Sequence, residues 1–176
     1  MQEALFFSQF LFVAGHETRT SLLGVGAAIL ARDPALLARL KAAPELLPAF
    51  VEEVLRTRPS LHRLFRVTTR EVRLHGVTIP AGAPVLLLLG AANRDAERFA
   101  AGDAFTLDQD PSGQLAFGWG IQVCLGAPLA RLEARIGFRV LDAARPPVPI
   151  VGGTTSEFGW RELYLNAERV REEDAE

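Results

Sequence analysis

The sequence of 176 residues has little of what marks secreted, membrane or nucleic-acid-binding proteins. Its one cysteine, Cys124, cannot form an intramolecular disulfide, so the fold does not need an oxidising compartment. The 19 basic and 21 acidic side chains nearly cancel, which excludes a strongly basic nucleic-acid surface. Met1–Glu3 lacks the basic start of a secretory signal, and His16 and Glu17 interrupt the apolar stretch that follows. We therefore expect a cytoplasmic protein that binds neither nucleic acid nor a membrane.

What the sequence does have is a large apolar fraction, 49%, which is enough for one domain spanning residues 1–176. The proline-free segment from Glu3 to Ala31 predicts a helix of about 40 Å, and because it is apolar on every face we expect it to be buried centrally. Asp33 and Pro34 then read as an N-cap and first residue of a short helix that ends at Ala42. Another helix, opened by Pro44 or Pro48, should end before Pro59.

The middle of the chain predicts short hairpins followed by a last helix. Turn glycines at positions 76 and 82 separate short β-prone runs, and Pro84–Leu89 reads as a buried strand. One helical turn is expected over Asn93–Phe99, a long helix over Leu125–Ala144, and strand and loop after Arg145. The predicted fold class is mainly α with small β-sheets.

The strongest candidate site is the segment Phe117–Gly126, which delivers Cys124 to the start of the last helix. Gly118 and Gly120 lack a Cβ and would let the backbone approach a flat ligand. A helix N-terminus favours a thiolate over a thiol. Taken alone, Cys124 would more often be a small buried apolar residue, a common fate of cysteine, and the ten-residue pattern as a whole reverses this preference.

This segment resembles the haem-binding loop of the cytochrome P-450 superfamily, in which Phe-x-x-Gly-x-x-x-Cys-x-Gly places a cysteine thiolate on haem iron. The resemblance, closest to bacterial members, implies haem b as cofactor and Cys124 as the metal ligand. The other residues that it assigns to cofactor binding are Arg66, Phe117, Gly120, Gln122 and Gly126, of which Arg66 would pair with a haem propionate.

Two further motifs follow the family's order. Ala14–Thr18 resembles the oxygen-binding stretch of the long helix, which implies that Glu17 and Thr18 relay protons. Physically, Gly15 together with the back-bonding hydroxyl of Thr18 predicts a loosened, widened helix, although a simple polar interruption is the alternative. Glu53 and Arg56 lie three apart on one helix face, where they can pair. The resemblance makes them a buried clamp behind the haem, although alone they are equally compatible with an exposed pair.

The resemblance covers nearly the whole chain but only the carboxyl-terminal half of a family member, so we expect a partial fold. Two positions depart from the family's pattern. Gln122 stands where the family usually has His or Arg facing a propionate, and Gln109 stands where bacterial members carry the third partner of the Glu–Arg clamp. Both replace a charge-assisted contact by a neutral one, so we expect haem to be weakly held or lost.

Two functions from different classes are therefore kept. The first is a haem-thiolate monooxygenase that inserts one oxygen atom from O2 into a small organic substrate, with electrons from a ferredoxin-type redox partner. The second is a truncated, inactive remnant or accessory fragment that self-associates or joins a companion amino-terminal half. An unrelated helical scaffold is disfavoured, because four motifs, namely the three above and the segment Arg66–Gly82 that resembles the family's sheet segment, would have to occur in the right order by chance. We expect the isolated chain to be inactive.

Overall fold

The structure is a computed structural model that describes residues 2–143, and it is mainly helical with two small antiparallel sheets, as the sequence predicts. The strand and loop expected after Arg145 lie outside the described residues. Within these residues there are five α-helices: α1 Gln2–Arg32, α2 Pro34–Ala42, α3 Leu47–Thr57, α4 Leu89–Ala92 and α5 Ala127–Ala143. Single 3-10 turns cover Pro44–Leu46 and Gly120–Gln122. The strands are β1 Leu64–Val67, β2 Val72–Leu74, β3 Val77–Ile79 and β4 Pro84–Leu87.

Local sequence signals account for most helix ends. The Asp33 carboxylate accepts a hydrogen bond from the Leu36 amide at 2.9 Å, with Pro34 in the first turn, so the predicted cap is confirmed. The single turn expected over Asn93–Phe99 is present at Asp95–Phe99, where the Arg98 and Phe99 amides donate to the Asp95 carbonyl at 3.0 and 2.8 Å. The helix α4, which was not expected, ends just before Asn93. Asn93 is fully buried, and its side chain accepts a hydrogen bond from the Leu115 amide at 2.6 Å.

Each sheet is one antiparallel strand pair. In one, β1 pairs with β4, with Leu64 opposite Leu87; in the other, β2 pairs with β3 across a turn at Gly76. Gly76 has a φ of 82°, which favours glycine. The expectation of a buried β4 is wrong: Leu86 and Leu87 are 43% and 37% exposed, because β4 pairs with a single neighbour.

The core lies where the second half of α1, α3 and α5 meet. Phe50 on α3 contacts Phe138 on α5 edge to face, with ring centroids 5.0 Å apart. Gly26 allows α1 and α5 to approach closely, since a Cβ there would lie 2.2 Å from Cζ of Phe138. Across the same interface, Arg19 forms an ion pair with Glu133. Because the cysteine segment leads into α5, the packing of α5 against α1 and α3 fixes the position of this segment.

The first half of α1 is not buried, contrary to the expectation from its apolar faces. The large apolar side chains between positions 5 and 13 are 48–71% exposed, and the buried residues of α1 all lie from Leu22 onwards. On α5 the apolar stripe Leu129, Leu132, Ile136 and Val140 is also exposed, while Ala134 and Phe138 face the core.

The described residues contain no single helix that is long and apolar enough to cross a membrane. The helices α1 and α2 reach the length and apolar composition of a membrane span only when they are taken together, and the chain bends by 106° between them.

Candidate active site

The cysteine loop, which we define as Phe117–Gly126, is closed on itself by backbone hydrogen bonds. The Cys124 amide donates to the Phe117 carbonyl at 2.9 Å, and the Gly118 amide donates to the Leu115 carbonyl at the same distance. Gly118 and Gly120 have φ values of 75° and 73°, in the left-handed region where other residues are strained. The two glycines therefore have a conformational role in turning the loop.

Cys124 is exposed, so the alternative that it is a small buried apolar residue is wrong. The helix α5 begins three residues after it, at Ala127 and not at Leu125 as expected. The Ala127 amide donates to the Cys124 carbonyl at 3.2 Å, and the Ala130 amide donates to the Gly126 carbonyl at 2.9 Å. The sulfur thus lies just before the amino end of a long helix, where the helix dipole favours negative charge.

Exposed apolar side chains flank the thiol. Trp119, Ile121 and Leu125 are 77%, 98% and 85% exposed, an unusual concentration on one short loop. Beside Gly120 there is open space, since a Cβ there would meet no atom within 4 Å. One soft sulfur donor on an open apolar surface fits a metal carried in a flat organic macrocycle, so these residues are compatible with haem.

Glu53 and Arg56 on α3 form a fully buried, two-pronged ion pair. Arg56 Nε and Nη2 each lie 2.8 Å from an oxygen of Glu53, and the two residues are 0–1% exposed. The guanidinium also donates to the carbonyls of Asn93, Gly102 and Ala104, each at 2.8 Å. The pair therefore anchors the segment 93–104 to α3.

Gln109 partly replaces the charged third partner that bacterial members of the family carry at this position of the clamp. Its Nε2 donates to Glu53 Oε1 at 3.2 Å, and the Thr106 amide donates to the same oxygen at 3.0 Å. Gln109 thus occupies the third place in the clamp through one hydrogen bond from a neutral donor, which lacks the positive charge that an arginine would bring to Glu53.

The other predicted site residues lie on separate elements. Thr18 on α1 back-bonds to the Ala14 carbonyl at 2.8 Å, as its position predicts, but α1 runs unbroken through this stretch without the widening expected. Glu17 is exposed beside it. Arg66 is exposed on β1 and donates to the Phe65 carbonyl at 2.8 Å. Within residues 2–143, no hydrogen bond or ion pair joins Glu17, Thr18 or Arg66 to the cysteine loop.

Comparison with known proteins decides the family. The cytochrome P450 family model matches residues 42–141, more than half of the chain, including α3, both sheets and the cysteine loop. The chain belongs to the cytochrome P450 family. Its described fold is that of part of a P450: it resembles the crystal structure of CYP109E1 from Bacillus megaterium in complex with corticosterone, with a TM-score of 0.78 and 43% identity. That match covers 81% of this chain and 38% of the other.

Curated P450 relatives are similar in sequence over most of this chain. Cytochrome P450 107B1 of Saccharopolyspora erythraea is 44% identical over 153 residues, 86% of this chain and 37% of that protein. Vitamin D(3) 25-hydroxylase of Pseudonocardia autotrophica is 41% identical over 165 residues, 93% of this chain and 41% of that protein. The chain thus spans about two fifths of the length of these P450 relatives.

The structure also shows an ion pair near the cysteine loop that no sequence motif predicts. Glu52 on α3 pairs with Arg131 on α5, 79 positions away, and accepts a hydrogen bond from Gln114 Nε2 at 3.2 Å. Arg131 lies in Ala127–Glu133, the stretch directly after the cysteine loop that also resembles bacterial P450s, and this resemblance is the signal that could have pointed to it. Its partner could not be found from spacing, because the two lie on different helices.

Proposed function

We propose that the whole protein is a haem-thiolate monooxygenase in which Cys124 is the iron ligand. The observation that carries the proposal is the exposed thiol of Cys124 on a glycine-turned, apolar loop, in a chain of the P450 family. When bound, haem supplies the activation of dioxygen that inserts one oxygen atom into an organic substrate. The chain's own residues bind and orient the cofactor and guide protons.

The proposed cofactor contacts combine the loop with one strand. Phe117, Gly120 and Gly126 shape the backbone around Cys124, which leaves the sulfur accessible to a ring lying on the apolar surface. Arg66 and Gln122 are proposed to hold the haem propionates. Arg66 would do so through its positive charge, and Gln122 through a hydrogen bond from its neutral side-chain amide. The exposure of both side chains leaves them free to turn toward a ligand. Because one contact is neutral, we expect weak retention of haem b.

Glu17 and Thr18 are proposed to move protons to the reaction site. The carboxylate of Glu17 is exposed to solvent. Thr18 Oγ1 donates its hydrogen to the Ala14 carbonyl, so its oxygen is left as an acceptor for an incoming proton donor. The proposed direction is therefore from Glu17 toward the Thr18 hydroxyl.

Partners follow from what the family generally needs. We propose electron delivery by a ferredoxin-type protein, a small organic substrate and a cytoplasmic location. A substrate that is named for a relative is not transferred to this protein, and we propose no substrate by name.

A second candidate is an accessory chain that has no turnover of its own. It is favoured by the exposed apolar side chains of the first half of α1, among them Phe6, Phe10 and Phe12 at 65–71% exposure. A substrate pocket needs walls that exclude water, and these side chains stand open in the described part of the chain. Under this proposal the chain works only after self-association or with a companion half.

One experiment separates the two candidates. The purified chain is titrated with haem, and the ferrous carbon-monoxide difference spectrum is recorded, followed by a turnover assay with a ferredoxin system. A thiolate signature with turnover supports the monooxygenase acting alone. A thiolate signature without turnover supports the accessory chain, and loss of the signature in Cys124→Ala is expected in both cases. A wild-type chain that binds haem without a thiolate signature would refute the ligand assignment.

A further inference from the structure

We propose that Arg131, held by Glu52, is a positioning residue that fixes the cysteine loop against α3 and α5 and so sets the orientation of Cys124. The proposal rests on the proposed function, because it takes Cys124 to be the ligand whose orientation matters. It adds a second clamp, Glu52–Arg131, to the buried Glu53–Arg56 pair.

One part of the Glu52–Arg131 clamp is an ion pair that joins α3 and α5 through two contacts. Arg131 Nε contacts Glu52 Oε1, and Arg131 Nη2 donates to Glu52 Oε2 at 3.0 Å. The side chains are 36% and 23% exposed, so water screens the pair only in part. Such planar contact uses the geometry of a guanidinium, which a lysine cannot reproduce.

The second half of the clamp reaches the loop through Phe117. The Arg131 guanidinium lies over the Phe117 ring, with Cζ 4.6 Å from the ring centroid, a cation–π contact. The Phe117 carbonyl in turn accepts the hydrogen bond of the Cys124 amide at 2.9 Å. Arg131 is thus linked to Cys124 through Phe117, whose ring contacts the guanidinium and whose carbonyl binds the cysteine amide.

Gln114 joins the same network on the chain entering the loop. Its Nε2 donates to Glu52 Oε2 at 3.2 Å, and its Oε1 accepts from the Ala116 amide at 2.6 Å. Glu52 therefore holds the approach to the loop from two sides, through Gln114 before Phe117 and through Arg131 after Gly126.

The electrostatics of Arg131 agree with this placement. Hydrogen bonding to Glu52 raises the pKa of Arg131 above its ordinary value against the opposing effect of burial, and the charges of Glu52 and Cys124 raise it further. Adjacent acids on α3 thus serve different segments. Glu53 binds the Thr106 amide and, through its partner Arg56, the segment 93–104. Glu52 binds Gln114 and, through Arg131, α5 and Phe117.

Hydrogen exchange on the full chain tests the clamp without requiring haem. Arg131→Met removes both contacts, Glu52→Gln weakens the ion pair alone, and Arg131→Lys keeps only the charge. The matched control is Arg39→Met, which breaks an exposed two-pronged pair with Asp108 that contributes no contact to the Glu52–Arg131 clamp. Amides of residues 116–124 are followed against those of residues 50–56 in α3, which report the core.

The expected result is a local loosening. Arg131→Met should speed exchange in residues 116–124 about tenfold, the factor for a local opening made easier by about 1.4 kcal/mol, while residues 50–56 keep the wild-type rate. Glu52→Gln and Arg131→Lys should have smaller effects of the same kind, and they carry the test if Arg131→Met does not fold. Unchanged loop exchange, or an equal rise in residues 50–56, would overturn the proposal.

A second readout distinguishes positioning from mere stability. With haem added, Arg131→Met should lower the fraction of the ferrous carbon-monoxide complex that has the thiolate signature, and Arg131→Lys should restore part of it. A full signature in Arg131→Met would overturn the proposal. If the wild-type chain itself shows no thiolate signature, the proposed function fails, and the exchange comparison still decides whether Arg131 holds the loop.

Discussion

At the scale of single residues, the backbone of the cysteine loop gives Cys124 its position. Positive φ angles at Gly118 and Gly120 turn the loop, and the Phe117 carbonyl holds the cysteine amide. This part was predictable, because glycine and cysteine spacing is a local signal. The partner of Arg131 was not, because an ion pair between two helices leaves no periodicity in the sequence.

The first prediction concerns Cys124 itself. Cys124→Ala should remove the thiolate signature of haem-loaded protein completely, because it removes the only sulfur donor that the loop offers. The measurement is the ferrous carbon-monoxide difference spectrum after haem titration. Val123→Ala, which trims the exposed neighbour and leaves the thiol in place, is the control and should keep the signature. A thiolate signature that survives in Cys124→Ala would show that another group binds the iron.

The second prediction concerns the buried clamp. Glu53→Ala leaves the Arg56 guanidinium buried without its counter-charge, which should cost roughly 3–5 kcal/mol of unfolding free energy or abolish soluble expression. Glu53→Gln keeps the shape and should be milder. Denaturant unfolding measures both.

The control for the clamp is Asp108→Ala, which breaks the exposed pair with Arg39 and should leave the unfolding free energy nearly unchanged. If Glu53→Ala unfolded at the same denaturant concentration as Asp108→Ala, the Glu53–Arg56 pair would have no special role in stability.

At the scale of elements, helix existence was predictable and the choice of buried face was not. The range expected for α1 differs from the observed one by a single residue at each end, since no proline interrupts it. For α5, the stripe singled out by its spacing, Leu129 to Val140, is exposed, and the smaller Ala134 and larger Phe138 pack instead. A helix with two apolar faces does not reveal by periodicity which face meets the core.

The third prediction tests how closely α1 and α5 pack. A Cβ at Gly26 would lie 2.2 Å from Phe138 Cζ, inside a tightly packed core, so Gly26→Ala should cost about 1–3 kcal/mol of unfolding free energy. Gly15→Ala in the same helix meets nothing closer than 3.7 Å and should stabilise by up to about 1 kcal/mol through helix propensity. Thermal or denaturant unfolding of both variants gives the comparison. Equal effects of the two substitutions would contradict close contact at Gly26.

At the scale of the whole molecule, fold class and family were predictable from ordered motifs, and burial was not. An apolar helix such as α1 is normally covered on all sides, and the sequence alone indicated central burial. In the described residues, full burial begins at Leu22, in the part of α1 against which α3 and α5 pack. The burial of a helix face depends on the elements that pack against it. The residue pattern of the helix alone therefore does not show which of its faces are uncovered.

The last prediction follows from that open surface. Apolar side chains at positions 5–13 of α1 are 48–71% exposed, and a contiguous patch of this kind drives association in water. The 176-residue chain expressed alone should therefore elute as an oligomer or aggregate in size-exclusion chromatography with light scattering. Phe6→Glu combined with Phe10→Lys places an ion pair one turn apart on the same face and should shift the protein toward monomer. A monodisperse wild-type monomer would mean that the apolar face tolerates water, and the need for a covering partner would fall with it.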